Sequence, residues 1–160
     1  MLGTNVFIGS SSEGLKIAEQ VQYDLHSITA PRIWNQGVFG LGGSTLEALL
    51  AEVRQHDFAV LILSPDDLTT SHDVTRLSPR DNVVFELGLF MGRLGPKRTF
   101  LLHDKSVDLK LLSDLAGITK APYDGEWAKV DLPAAIGTAC NPIKHAIERL
   151  GPRMPRSKRR

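Results

Sequence analysis

Glu86 stands inside the stretch RDNVVFELGLFMGRLG, residues 80–95, which is otherwise apolar from Val83 to Met91, and no basic residue follows it within four positions. Burying a carboxylate in such a segment is costly unless something pairs with it. The residue therefore asks for either a structural partner or a chemical role. At 100° per residue, Asn82, Glu86, Phe90 and Arg93 share one face of a helix, while Val83, Val84, Leu87 and Met91 lie on others. On that reading Glu86 sits one turn after Asn82, on a side bearing polar groups. A structural carboxylate would be held by serine, by backbone donors or by Arg93. A chemical one would project into a cleft, provided the start of this helix lies over the ends of the neighbouring strands. Gly88 and Gly92 are each about 1 kcal/mol less favourable than alanine in a helix, which predicts close packing against this segment.

Two glycine-bearing loops hold the other candidates. GSSSEG, residues 9–14, reads as a strand-to-helix turn whose backbone amides can bind a phosphate or a sugar hydroxyl. It has neither the GxGxxG pattern nor the lysine of a Walker A loop, and a plain turn with a serine cap fits it equally well. NQGVFGLGGS, residues 35–44, carries four glycines and presents Val38, Phe39 and Leu41. A lid over a site, an assembly contact and a simple connection all fit such a loop. The five histidines, at positions 26, 56, 72, 103 and 145, show no metal-ligand spacing, so no metal centre is expected.

The elements that must position these groups alternate between strand and helix. Thr4–Gly9 is a short β-rich run. Residues 13–27 place Leu15, Ile17, Ala18, Val21 and Leu25 at helical spacing. Pro31–Trp34 is a second strand, and Ser44-Thr45-Leu46-Glu47 has the form of a capping box opening a helix through Leu46, Leu49, Leu50 and Val53. Asp57–Leu63, DFAVLIL, is apolar throughout, as a strand covered on both faces must be. A polar loop over 64–79 ends at Ser78-Pro79, a natural start for the Glu86 helix. A strand near Arg98–Leu102, a helical piece near 109–116, an extended Ile118–Tyr123 and a helix over 133–150 follow. This order predicts an α/β fold, flavodoxin-like, with a central parallel five-stranded sheet and helices on both faces. In such folds ligands bind beyond the carboxyl ends of the strands. Gly9–Gly14, Trp34–Ser44, Ser64–Pro79 and the start of the Arg80 helix are therefore predicted to converge.

The 160 residues suit one domain over 1–150, followed by a basic tail or linker stub over 151–160. Five of the 19 Lys and Arg side chains stand in the last ten positions, GPRMPRSKRR, which hold no acid. The remainder sets 14 basic against 18 acidic groups, so the net charge of +1 hides an acidic body and a basic end. Nucleic acid is not an expected partner, because short basic ends of this kind are more often solvated. No apolar run approaches the ~18 residues of a membrane span. The single cysteine, Cys140, excludes an internal disulfide, and with nothing like a signal peptide at its start the chain reads as cytoplasmic.

Together, four segments resemble one family. They are FIGSSSEG at 7–14, W-x-x-G-V-F-x-L-G-x-S-T-L-E from Trp34 to Glu47, DFAVLILSPDD at 57–67 and PRDNVVFELGLFMGRLG at 79–95. In this order they are similar to the TIR-like domain of bacterial cyclic-nucleotide anti-phage (CBASS and Pycsar) effectors, as in the TIR domain of bacterial STING. VDLKLLSDLAGI at 107–118 fits as well, so the resemblance covers roughly residues 5–123.

The resemblance implies a TIR fold and an NAD+ nucleosidase (NADase) that splits nicotinamide from its ribose and yields linear or cyclic ADP-ribose. NAD+ is then substrate, with no separate cofactor. Glu86, in FELG, matches the catalytic glutamate. Ser10, Ser11, Trp34, Phe39, Ser44, Arg80 and Asn82 are the implied substrate contacts, Trp34 and Phe39 at the nicotinamide end. Asn82 departs from the aromatic that some TIR enzymes carry one turn before the glutamate. The loop from Gln36 to Gly43 would be the mobile BB loop. Activity would follow self-association into an oligomer or filament, driven by a cyclic-nucleotide sensor domain in the same full-length protein, and would defend the cell by depleting NAD+. Two other functions remain open: a non-catalytic TIR interaction module, and a nucleoside deoxyribosyltransferase-like enzyme.

Overall fold

The structure, a computed structural model, describes residues 3–34, 45–63, 79–106 and 117–154. The predicted helical piece near 109–116, the Gln36–Gly43 loop and the 64–78 loop lie outside those residues. The described chain runs β1 (Asn5–Ser10), α1 (Leu15–Leu25), β2 (Ala30–Trp34), α2 (Thr45–Gln55), β3 (Phe58–Leu63), α3 (Pro79–Leu94), β4 (Thr99–Asp104), β5 (Thr119–Tyr123), α4 (Gly125–Val130) and α5 (Leu132–Leu150). All four strand pairings are parallel, in the order β2-β1-β3-β4-β5. The sheet order reverses between β1 and β3, the switch point at which such folds open a crevice.

Alternation along the strands sorts the core into two layers. Val6 and Ile8 of β1, Phe58, Val60 and Ile62 of β3, and Phe100 and Leu102 of β4 face α1 and α5. Phe7, Ala59, Leu61, Leu63 and Leu101 face α2 and α3 on the other side. Strands β3 and β4 are buried along their whole length, which is why their sequences carry no polar alternation. The predicted five-stranded parallel sheet with helices on both faces is the observed architecture. No helix among the described residues is long and apolar enough to cross a membrane.

Two local features differ from the sequence reading. The segment after β5 is helical from Gly125, a six-residue element that periodicity does not reveal, and α5 starts at Leu132. Both starts are capped by aspartate: Asp124 accepts from the Trp127 amide at 3.0 Å and Asp131 from the Ala134 amide at 3.0 Å. Lys105 is hydrogen-bonded to Asp124 and holds its carboxyl below the usual carboxylate range.

Beyond α5 the chain stays on the domain. Arg98 donates from both terminal nitrogens to the carbonyls of Gly151 (2.8 Å) and Leu150 (3.1 Å), capping the helix end, and its guanidinium lies over the Phe58 ring. The Arg153 amide donates to Asp57 Oδ1 at 2.8 Å. Burial pulls the Arg98 guanidinium below its ordinary value, with Asp57 acting against that.

Candidate active site

Helix α3 lies across the α2/α3 face of the sheet and runs antiparallel to β1. The Phe7 and Phe90 rings are 4.3 Å apart, while one turn earlier on the helix Glu86 reaches the space over Gly9, two residues further along the strand. The N-terminal end of α3 therefore points at the carboxyl ends of the strands, as the topology required. Asn82, one turn before Glu86 and half-buried, falls beyond the end of β1.

Glu86 is only 2% exposed. It does not lie on a polar side of α3, which corrects the helical-wheel reading. Val83, Glu86, Leu87 and Phe90 form the buried stripe at the spacing i, i+3, i+4, i+7, while Asn82 and Arg93 are half-buried at its margin. The carboxylate takes a core position. Gly88 and Gly92 also correct the sequence reading. Both are exposed, and a Cβ on either would meet nothing within 4 Å among the described residues, so neither marks close packing there.

Gly9 makes room for the carboxylate. A Cβ placed there would stand 2.6 Å from Glu86 Oε2, 2.7 Å from Leu61 Cδ1 and 2.9 Å from Phe7 Cε1. Any side chain at position 9 would contest the space these three groups share. Glycine is used here for close approach, at an ordinary negative φ.

In the sheet Gly9 is paired with Trp34 on one side and Leu61 on the other. Trp34 is the last residue of β2, 5% exposed, with its ring 6.0 Å from that of Phe7. Its indole is thus a wall beside Gly9 and part of the α2/α3 layer. Ser10 ends β1 on the opposite face. A Cβ on Gly14, at the start of α1, would come within 3.3 Å of the Ser10 Cβ. Ser11 is buried and opens the 3₁₀ turn Ser12–Gly14, with its carbonyl accepting from the Gly14 amide and its hydroxyl not capping the turn.

The structure thus brings Glu86, Trp34 and Asn82 to one face of the strand ends, and sets Ser10 toward α1. Arg80 is the second residue of α3, and its side chain lies outside the described residues, as do Phe39 and Ser44.

A second buried group at the strand ends had not been singled out. Asp104, the last residue of β4, accepts through Oδ1 from the Ser106 amide (2.9 Å), the Ser106 hydroxyl (2.9 Å) and the Gly125 amide (3.3 Å). This carboxylate fixes the turn after β4 to the start of α4, a structural task that accounts for its burial. The Asp-x-Ser spacing after an apolar strand is the sequence signal for it. His103, buried on the same face as Leu63, has its Nδ1 2.9 Å from the Asp104 carbonyl, an acceptor that holds the ring in place. No sequence pattern announces it. Among the described residues no three His, Cys, Asp or Glu side chains stand close enough to hold a metal ion.

A carboxylate buried at the switch point of a parallel sheet, in a slot opened by a strand-end glycine, can stabilise positive charge developing on a bound ligand. A model of the TIR domain of CAP12/Pycsar effector proteins matches residues 5–125. The chain belongs to this TIR family. It is 41% identical over 151 residues to the Pycsar effector protein PaPycTIR of Pseudomonas aeruginosa, an alignment covering 94% of this chain and 49% of that protein. It is 44% identical over 150 residues to BcPycTIR of Burkholderia cepacia, covering 91% and 48%. With CD-NTase-associated protein 12 of Flavobacterium daejeonense the identity is 40% over 147 residues, covering 92% and 44%. This TIR domain thus spans about half the length of the curated relatives it matches.

Proposed function

We propose that this TIR domain is an NAD+ hydrolase that breaks the bond between nicotinamide and ribose, with Glu86 as its catalytic carboxylate. One observation carries the reading: a glutamate occupies a core position of α3 at the strand ends, in a slot that Gly9 opens. Departure of nicotinamide leaves an oxocarbenium-like ribose. A desolvated carboxylate beside that carbon stabilises it far more than the same group would in water. The pyridinium is already a good leaving group, so neither a metal nor a second carboxylate is required. Trp34 would wall the site, and Asn82, one turn nearer the helix start, would meet the substrate's polar groups. Phe39, Ser44, Arg80, Ser10 and Ser11 are proposed as further contacts.

The proposal extends to cytoplasmic NAD+ depletion in anti-phage defence, switched on by self-association and by a cyclic-nucleotide sensor in the remainder of a longer protein. A non-catalytic interaction module is the second reading. Phe85, 52% exposed on the outer side of α3 beside Gly88, supports it, because such a side chain fits an assembly surface.

The test is nicotinamide release from NAD+ at high protein concentration or under crowding, with wild type beside Glu86→Gln and Glu86→Ala. Glu86→Gln is expected to keep the melting temperature and lose at least about 100-fold in rate. Release that survives both substitutions overturns the catalytic role. An assembled wild type with no turnover favours the interaction module.

A further inference from the structure

Gly9 opens the slot but supplies no side chain to hold its walls apart. The spacing of those walls is set one pleat earlier, at Phe7, the preceding residue of β1 on the α2/α3 face. Phe7 is 1% exposed and meets both walls. On the β2 side its ring centroid is 6.0 Å from that of Trp34, and on the α3 side it is 4.3 Å from that of Phe90. Phe90 stands one turn after Glu86 on the buried stripe of α3. A third ring closes the set. His56, buried just past the end of α2, meets Phe7 edge-on at 5.6 Å, its Nδ1 2.8 Å from the Glu52 carbonyl.

The Phe7 ring also borders the carboxylate. Phe7 Cε1 and Glu86 Oε2 lie 2.9 Å and 2.6 Å from one point, the place a Cβ on Gly9 would take. A phenyl side chain turns about two torsions, and contacts on three sides leave it one orientation. A leucine in its place cannot keep both ring contacts. Wall spacing matters to chemistry, because a misplacement of about 1 Å can cost about 100-fold in rate.

We propose that Phe7 is a positioning residue for the reaction proposed at Glu86, on which reading it rests. Its ring fixes the separation of the Trp34 indole from the Glu86 helix, and with it the place of the scissile bond against the carboxylate.

The experiment compares Phe7→Leu with Phe58→Leu, the same change at a buried ring on the opposite face of the sheet, stacked at 6.4 Å on Phe100. Trp34 and Trp127 are the chain's two tryptophans, so fluorotryptophan labelling gives two fluorine NMR lines, and Trp127→Phe assigns that of Trp34. The Trp34 line is expected to shift or split in Phe7→Leu and to stay in place in Phe58→Leu. Nicotinamide release is then measured under assembling conditions, with rates taken per folded protein. Phe7→Leu should lower kcat by about tenfold or more with a smaller change in KM, and Phe58→Leu by less than about twofold. Phe7→Met, which fills the volume without a rigid ring, takes the place of Phe7→Leu should that variant fold poorly. Equal losses of rate in the two variants, or a Trp34 line left unmoved at position 7, overturn the proposal. A wild type that does not turn NAD+ over refutes the reading of Glu86 itself, and the fluorine lines then decide alone whether Phe7 sets the position of Trp34.

Discussion

Substituting Gly9→Ala tests the central geometric claim without reference to any activity. The added methyl would lie 2.6 Å from Glu86 Oε2, 2.7 Å from Leu61 Cδ1 and 2.9 Å from Phe7 Cε1, all closer than real Cβ contacts. Phe7 has little freedom to yield, being packed on Phe90 at 4.3 Å and on Trp34 at 6.0 Å. Overpacking of this kind costs about 1–3 kcal/mol. Against it stands the gain of about 0.4–1 kcal/mol from removing glycine's freedom in the unfolded chain, which applies because Gly9 has no positive φ. The net expectation is a loss of about 1–2 kcal/mol. For a chain of this size that is a fall of about 2–8 °C in melting temperature.

The decisive measurement repeats Gly9→Ala in a Glu86→Ala background, by urea unfolding followed by circular dichroism. Removing the carboxylate empties the space the methyl needs and lets the tips of Leu61 and Phe7 shift. Gly9→Ala should then be milder by at least about 0.5 kcal/mol, a coupling above the usual additivity error. Equal destabilisation in the two backgrounds refutes the claim that Gly9 exists to seat Glu86. So does a neutral Gly9→Ala in the wild type.

Two further predictions rest on buried groups away from that slot. A Cβ on Gly125 would fall onto the Asp104 carboxylate, so Gly125→Ala should destabilise by about 2–3 kcal/mol, and less in an Asp104→Ala background. Equal loss in both backgrounds would refute it. Burial pushes the Cys140 thiol up from its ordinary 9.0 to about 12. Between those values the unfolded chain has lost a proton that the fold retains, so stability should fall as pH rises from about 9 toward 12, by at most about 1.4 kcal/mol per pH unit. Cys140→Ala should flatten that slope in a pH series of unfolding curves.

The layers of this fold are legible because their residues are locally explicit. DFAVLIL can only be a strand covered on both faces, and Ser78-Pro79 opens a helix wherever the helix packs. Helix α4 is illegible for the same reason: GEWAKV shows no apolar period, and only the Asp124 cap marks its start. The orientation of α3 failed differently. A 3.6-residue period groups side chains into stripes, but two stripes can contain Glu86. Contact with Phe7 and Gly9 selects the one with Val83, Leu87 and Phe90. The same limit hides Gly9, since a glycine in a sequence does not say whose atoms take its side chain's place. The TIR motifs could name Glu86, but only the folded chain could supply the partner position that admits it.

That pairing bears on why Glu86 is there at all. A carboxylate at a core position of α3 is a poor choice for stability, because leucine or methionine would fill the stripe without a desolvation penalty. Glycine at the end of β1 is also a poor choice, because it gives up packing and backbone order in a central strand. Each is locally unfavourable, and the two meet at one point, at the sheet's switch point, with Trp34 alongside. Local rules broken independently would scatter over the fold. Broken together, in contact and at the strand ends, they single out the position that the proposed reaction would use. Asp104, another buried carboxylate, at the end of β4, takes three donors on one oxygen and holds the turn there. The two aspartate caps before α4 and α5 are likewise spent on structure. Under the proposed activity, the setting of Glu86 would follow from what it can do to a ligand.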